Sequence, residues 1–317
     1  MFIIGHQKNI DFLNTSILNH KIAHAYLFYG PAHIGKTKVA EYFICSLFCS
    51  HQSPCFKCDQ CRPVLNHFHP DNFWVREESE TKTIKIQQTR QIKDFIYASP
   101  FAANYKIVII DKSDYLTLAA ANSLLKILEE PPAQSILILM ARNFKNLPAT
   151  LRSRCQSLRF VAPLNQELEE FLKNKYSLKE KERKEIMGLS LGRPGLAVNF
   201  MENPAELARE KELLAQLINR LEEDSEESHW QLADLIFKSE ISLERILNIF
   251  LIILRYLILA KTKSSQENYL NIPDKSLLKN YSQKRLQNFI NQILRTQFLL
   301  ETNTNKKLVI ENLLINF

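Results

Sequence analysis

The stretch GPAHIGKT at 30–37 constrains the fold of this chain more than any other. It satisfies G-x-x-x-x-G-K-[ST] at every fixed position. An apolar run, AYLFY at 25–29, precedes it, and a helical pattern, TKVAEYFICSLF at 37–48, follows, which is the setting that the motif requires. A loop of this kind turns successive N–H groups toward phosphate oxygens, reinforced by the positive end of the next helix. Gly30 and Gly35 let the backbone wrap, Lys36 reaches the terminal phosphates, and the Thr37 hydroxyl ligates magnesium. The chain has only six glycines, so a generic glycine turn is the poorer reading of two at this spacing. ATP or ADP with Mg2+ is the expected cofactor.

The first half carries two further runs rich in β-formers, KIVIID at 106–111 and SILILMA at 135–141, and a shorter one, DNFWVRE at 71–77. Helical patterns at 89–98 and 116–130 separate them, the second stopped by Pro131-Pro132. Continuous apolar strands alternating with helices predict an α/β domain whose parallel sheet is covered on both faces. Asp111 ends one of these strands, where a nucleotide machine holds its magnesium. The next residue is Lys112, where a hydrolysing site carries a water-polarising glutamate. Past Pro163 the strands disappear. Short helices are expected at 164–200 and longer amphipathic ones beyond about Pro204, with a loop at 261–268. The predicted domains are 1–162, 163–205 and 206–317, consistent with a chain too long for one core.

Charge and hydropathy narrow the class. The formal net charge of +7 lies wholly in residues 1–160, with 19 Lys and Arg against 12 Asp and Glu, while 161–317 holds 22 of each. A basic first domain suits an anionic partner such as nucleotide or DNA, and equally a plain soluble basic surface. The apolar stretch at 246–260 is interrupted by Arg255, falls short of a membrane span, and reads as a helix buried on several sides. With no secretory signal, a cytoplasmic protein without a membrane partner is expected.

Four of the six cysteines fall in CSHQSPCFKCDQC at 49–61. Cys49, Cys55, Cys58 and Cys61 form two overlapping C-x-x-C steps and one upstream thiol, enough to surround a tetrahedral ion. Zinc is the expected ion and its role structural, since four protein ligands leave no open position. An iron–sulfur cluster is the alternative, although the ferredoxin Cys-Pro ending is absent. His51, His67 and His69 are reserve ligands, and Cys45 and Cys155 are expected to be packing residues.

A phosphate loop with a cysteine module just after its helix, followed by NSLLKILEEPP at 122–132 and LRSRC at 151–155, resembles the bacterial clamp-loader subunits of DNA polymerase III. The resemblance runs from His24 to about residue 200; beyond 206 only helical character matches. It implies an AAA+ nucleotide-binding domain, a helical lid and a helical collar that joins a hetero-pentamer. The implied partners are gamma/tau-type motor subunits and a delta subunit, with the sliding clamp and primed DNA engaged through the complex. The family includes motors that hydrolyse ATP and a delta-prime type that usually does not. Lys112, together with Ala141, Arg142 and Asn143 where motors place a small hydroxyl residue, points to the latter. No ATPase of its own is then expected, although the chain would serve a DNA polymerase holoenzyme. The resemblance also makes Arg154 an arginine finger delivered in trans to a neighbour's nucleotide, and matches Arg193 to a lid arginine that contacts the chain's own nucleotide. The competing readings are a hydrolysing motor subunit and a zinc-dependent nucleic-acid-binding module; for the latter, Lys57, Arg62 and Phe56 are a thin reading surface.

Overall fold

The computed structural model describes residues 2–51, 53–78, 83–223, 226–239, 241–262, 270, 272, 280–300 and 305–315. It divides the chain into two compact units, Met1–Leu168 with Arg193–Gly195, and Glu169–Gly192 with Leu196–Phe317.

The first unit is built on five strands: β1 (Ala25–Tyr29), β2 (Asn72–Val75), β3 (Lys106–Ile110), β4 (Ser135–Ala141) and β5 (Gln156–Arg159). They form one sheet in the order β2-β3-β4-β1-β5, and every pairing is parallel. Alternate residues of the central strands serve two separate cores, because successive side chains of a strand point to opposite faces. Tyr26, Phe28, Ile107, Ile109, Ile136, Ile138 and Met140 pack on one side with α1 (Gln7–Leu18) and α2 (Lys36–Phe48). Ala25, Leu27, Val108, Ile110, Leu137, Leu139 and Ala141 pack on the other with α4 (Ile86–Ile96) and α5 (Leu118–Glu129), the short α3 (Cys61–Leu65) lying between α2 and β2 in the chain. The doubly covered sheet expected from the apolar runs is therefore present. Thr117 caps α5 by accepting from the Ala120 N–H at 3.2 Å, two residues inside the start read from the sequence. Strand β5 was not expected. Only Leu158 of its four residues is buried, so it carries no apolar run to mark it.

One buried carboxylate ties down the amino end of the sheet. Asp71, fully buried just before β2, pairs with Lys106 at 2.9 Å and accepts the N–H groups of Phe101, Ala102 and Ala103 at 2.6–2.8 Å. Burial pushes its pKa up, but the Lys106 ammonium and the three amides outweigh burial and hold it at about 2.

The second unit is helical among its described residues. Its long apolar helix, Leu243–Lys261, buries Ile246, Leu247, Ile249, Phe250, Ile253, Leu254 and Leu257, and leaves Arg255 exposed. Phe250 meets Phe289 edge-on, with ring centres 6.0 Å apart. Arg245 pairs with buried Glu210 and donates to the Leu189 carbonyl at 2.6 Å. No described helix is long and apolar enough to cross a membrane. Most of the loop read at 261–268 lies outside the described residues.

Asp71→Ala should cost about 3–5 kcal/mol of stability, because it strands the buried Lys106 ammonium and three amides. The folded-state pKa of Asp71 lies below its ordinary value of 3.8. Its contribution is therefore complete above about pH 4 and lost as pH falls toward 2. Denaturant melts of wild type and variant across that window measure both effects.

Candidate nucleotide site and cysteine module

The phosphate loop leaves the sheet at its carboxyl end, between the two neighbours of β1. The Gly30 N–H donates to the Ala141 carbonyl at 3.1 Å, and the Phe160 N–H donates to the Tyr29 carbonyl at 2.7 Å. A Cβ on Gly30 would lie 2.2 Å from the Phe160 carbonyl oxygen, so no other residue fits there without a shift. Gly35, at φ +111°, turns the chain into α2 from a conformation that side chains rarely adopt. Lys36 folds back on its own loop, and its Nζ donates to the carbonyls of Gly30 at 2.6 Å and Pro31 at 2.8 Å. Thr37 follows on the first turn of α2.

Charged groups following two strands, β3 and β4, and one from the segment of Arg193 lie near this loop. Burial lowers the Lys36 pKa to about 8; Asp114 and Asp111 oppose that shift, and Arg142 and Arg193 add to it. Asp111 thus stands within electrostatic reach of Lys36, and so does Arg193. The segment carrying Arg193 is fastened to the loop by the Gly195 N–H, which donates to the His33 carbonyl at 2.8 Å. Asp114 is committed elsewhere. It accepts the backbone N–H of Arg142 at 2.6 Å and of Asn143 at 3.3 Å, bracing the turn after β4. Lys112, left-handed at φ +53°, forms an ion pair with Glu77, which follows β2.

Sequence reading missed His6. Its Nε2 lies 2.7 Å from the Ile34 carbonyl of the phosphate loop and its ring 4.9 Å from that of Phe160, with burial lowering its pKa. No pattern marks it, since 28 residues separate the two partners.

Arg154 stands at the other end of the sheet. The parallel register sets Gln156 beside Tyr26 and Arg159 beside Tyr29. Arg154 precedes β5 and Gly30 follows β1, so the two are separated by roughly 15–20 Å along the strand direction, more than an arginine side chain spans. Its guanidinium is part-exposed, held by Glu129 at 2.8 Å and the Thr150 carbonyl at 3.1 Å.

The cysteine module begins where α2 ends. Cys49 caps that helix through its N–H on the Cys45 carbonyl at 2.9 Å. Donor atoms of Cys49, His51, Cys55 and Cys58 all lie within 4.8 Å of one another, a group that could hold a metal ion. The Cys49 sulfur is 3.9 Å from that of Cys58 and 3.5 Å from the His51 Nδ1. The two C-x-x-C steps fold so that amides serve the sulfurs. The Cys58 N–H donates to Cys55 Sγ and the Cys61 N–H to Cys58 Sγ, each at 3.4 Å. Burial raises the Cys58 pKa, but amides of Cys61 and Gln60 outweigh it and hold the thiol at about 6. Cys61 is fully buried beneath the group, in contact with the Cys58 and Cys49 thiols. His67 and His69 are engaged elsewhere. His67 contacts Glu41 at 3.2 Å and Arg76 at 3.0 Å; His69 contacts Gln60 at 2.7 Å and accepts the Asp71 N–H at 3.0 Å. Cys45 and Cys155 are buried enough to push both thiols up to about 12, as packing residues require.

A phosphate loop with this cysteine group at the end of its helix can now be set beside known proteins. A family model described as DNA polymerase III, delta subunit, matches residues 5–163, half of the chain. The chain belongs to this clamp-loader family. It is 35% identical to DNA polymerase III subunit tau of Bacillus subtilis over 161 residues, 50% of this chain and 28% of that protein. It is equally 35% identical to DNA polymerase III subunit delta' of Pseudomonas aeruginosa over 136 residues, 42% of each. The chain thus spans less than half the length of these relatives, and identity does not separate the subunit types. A solved DNA polymerase III gamma subunit-related protein of Thermotoga maritima is 19% identical, covers 96% of this chain, and superposes with a TM-score of 0.47.

Two outcomes follow from the clamp-loader site. A bound nucleotide would favour the protonated form of Lys36, the neutral amine taking up a proton from solvent. Affinity for ATP, measured by fluorescent-analogue displacement, should be flat below pH 8 and fall up to about 10-fold per unit above it. In the cysteine module, Cys55→Ser and Cys58→Ser should lose bound metal in elemental analysis, while His67→Ala keeps it.

Proposed function

We propose that this chain is a delta-prime-type subunit of the clamp loader, a stator that delivers Arg154 to the nucleotide of an adjacent motor subunit. The observation that carries this reading is the placement of Arg154. It is part-exposed at the amino end of the sheet, too far from its own phosphate loop to serve a nucleotide held there. If it meets a nucleotide at all, that nucleotide belongs to another chain. A guanidinium supplied across an interface neutralises charge developing on the γ-phosphate and forms two parallel hydrogen bonds, worth about 10³–10⁵ in rate in related NTPases.

Lys112 supports the same reading from the other side. With a cation where water would be oriented, the loop of Gly30, Gly35, Lys36 and Thr37, with Asp111 on magnesium, holds ATP or ADP as a ligand without turning it over. Arg193 contacts that nucleotide from within the lid, 163–205, and residues 206–317 form the collar that assembles with gamma/tau and delta subunits around the sliding clamp and primed DNA in the cytoplasm. Zinc is the ion best suited to the cysteine module, as a structural element: amide-bonded thiolates favour a borderline-soft cation, and it would sit where α2 meets the module. The second reading, a hydrolysing motor, is favoured by the intact loop and the match to subunit tau, and is opposed by Lys112.

Arg154→Ala should assemble normally, judged by size-exclusion stoichiometry, and lower the ATPase rate of the reconstituted loader, with the adjacent site slowed on the order of 10³-fold. An unchanged rate contradicts the finger, and clear turnover by the isolated wild-type chain favours the motor.

A further inference from the structure

The replacement of a hydrolytic glutamate by Lys112 is not an isolated change in the structure. Lys112 lies two residues past the end of β3 in a left-handed conformation that costs a non-glycine residue about 1 kcal/mol. Its ammonium pairs with Glu77, which lies two residues past the end of the neighbouring strand β2 and is only 17% exposed. The two strands run parallel with Val75 beside Ile110, so the segments leaving them are adjacent by construction. Arg142, beyond β4, is the second cation near Glu77, and together they keep its carboxyl ionised despite burial, which acts the other way. The Glu77 segment is itself pinned. Gln88 donates to the Arg76 carbonyl at 2.8 Å, and Arg76 contacts His67 at 3.0 Å.

We propose that Glu77 and Lys112 act as one unit, a positioning pair that fixes the site in its non-hydrolysing form. While Glu77 stands at the end of β2, position 112 accepts a cation and rejects the carboxylate that water activation requires. A carboxylate at 112 would face Glu77 on one side and follow Asp111 on the other, concentrating negative charge beside the phosphate loop. Like charges held this close and part-buried disfavour ionisation of both. Restoring the missing group thus needs two substitutions on two strands. The inference rests on the proposed reading of the site as non-hydrolysing, but the pairing is separable from it.

The test is a charge-swap set on the full chain: K112E, E77K and E77K/K112E beside wild type. Thermal midpoints are measured without nucleotide, and ATP binding is measured by isothermal calorimetry with magnesium. K112E should lower the midpoint and weaken ATP binding at least 10-fold, and the swap should recover the midpoint and bring affinity back to within about 3-fold of wild type. A K112E protein that melts and binds like wild type overturns the proposal, and so does a swap no better than K112E. The midpoint arm decides the pairing even if wild type binds no ATP, a result that would count against the nucleotide reading alone.

Discussion

The parallel pairing of β5 with β1 determines what each end of the first unit can do. β1, an inner strand between β4 and β5, is the one from which the phosphate loop springs, and β5 runs beside it in the same direction from Tyr26↔Gln156 to Tyr29↔Arg159. A parallel sheet gathers the loops that follow its strands at one edge and those that precede them at the other. The charged groups around the phosphate-loop motif, Lys36, Asp111, Asp114 and Arg142, all follow strands. Arg154 precedes one. The same register that gathers those groups at one end of the sheet keeps this arginine away from them.

At the carboxyl edge the balance of charge is close. Lys36 holds its place by donating to two carbonyls of its own loop, and the Asp114 carboxylate accepts two backbone N–H groups. The Glu77–Lys112 pair neutralises the next position along the edge. Among the described residues, the position after Asp111 is held by a cation paired with Glu77.

Much of this was legible in the sequence where the physics is local. The runs at 106–111 and 135–141 appeared as strands because both faces of a buried parallel strand must be apolar, and the structure buries every residue of Lys106–Ile110 and Ser135–Ala141. The phosphate loop was legible because its backbone needs glycine at fixed places. β5 was not, since an edge strand with one buried residue leaves no pattern. Neither His6 nor Glu77 was legible, because each gains its role from a contact spanning 28 and 35 residues. In the cysteine module spacing alone suggested four thiols, whereas folding also brings His51 into the donor group and sends His67 and His69 to Glu41 and Gln60. The arginine-finger reading of Arg154 came from family resemblance; the sheet register shows only that Arg154 lies away from its own phosphate loop.

The account stands on where the Arg154 guanidinium goes when subunits assemble. The most direct measurement is its distance to the nearest nucleotide phosphate in a structure of the reconstituted loader with a non-hydrolysable ATP analogue. Hydrogen-bond contact with the γ-phosphate of the adjacent motor subunit is the expected result. An Arg154 still paired with Glu129, facing solvent or a surface without nucleotide, would contradict it.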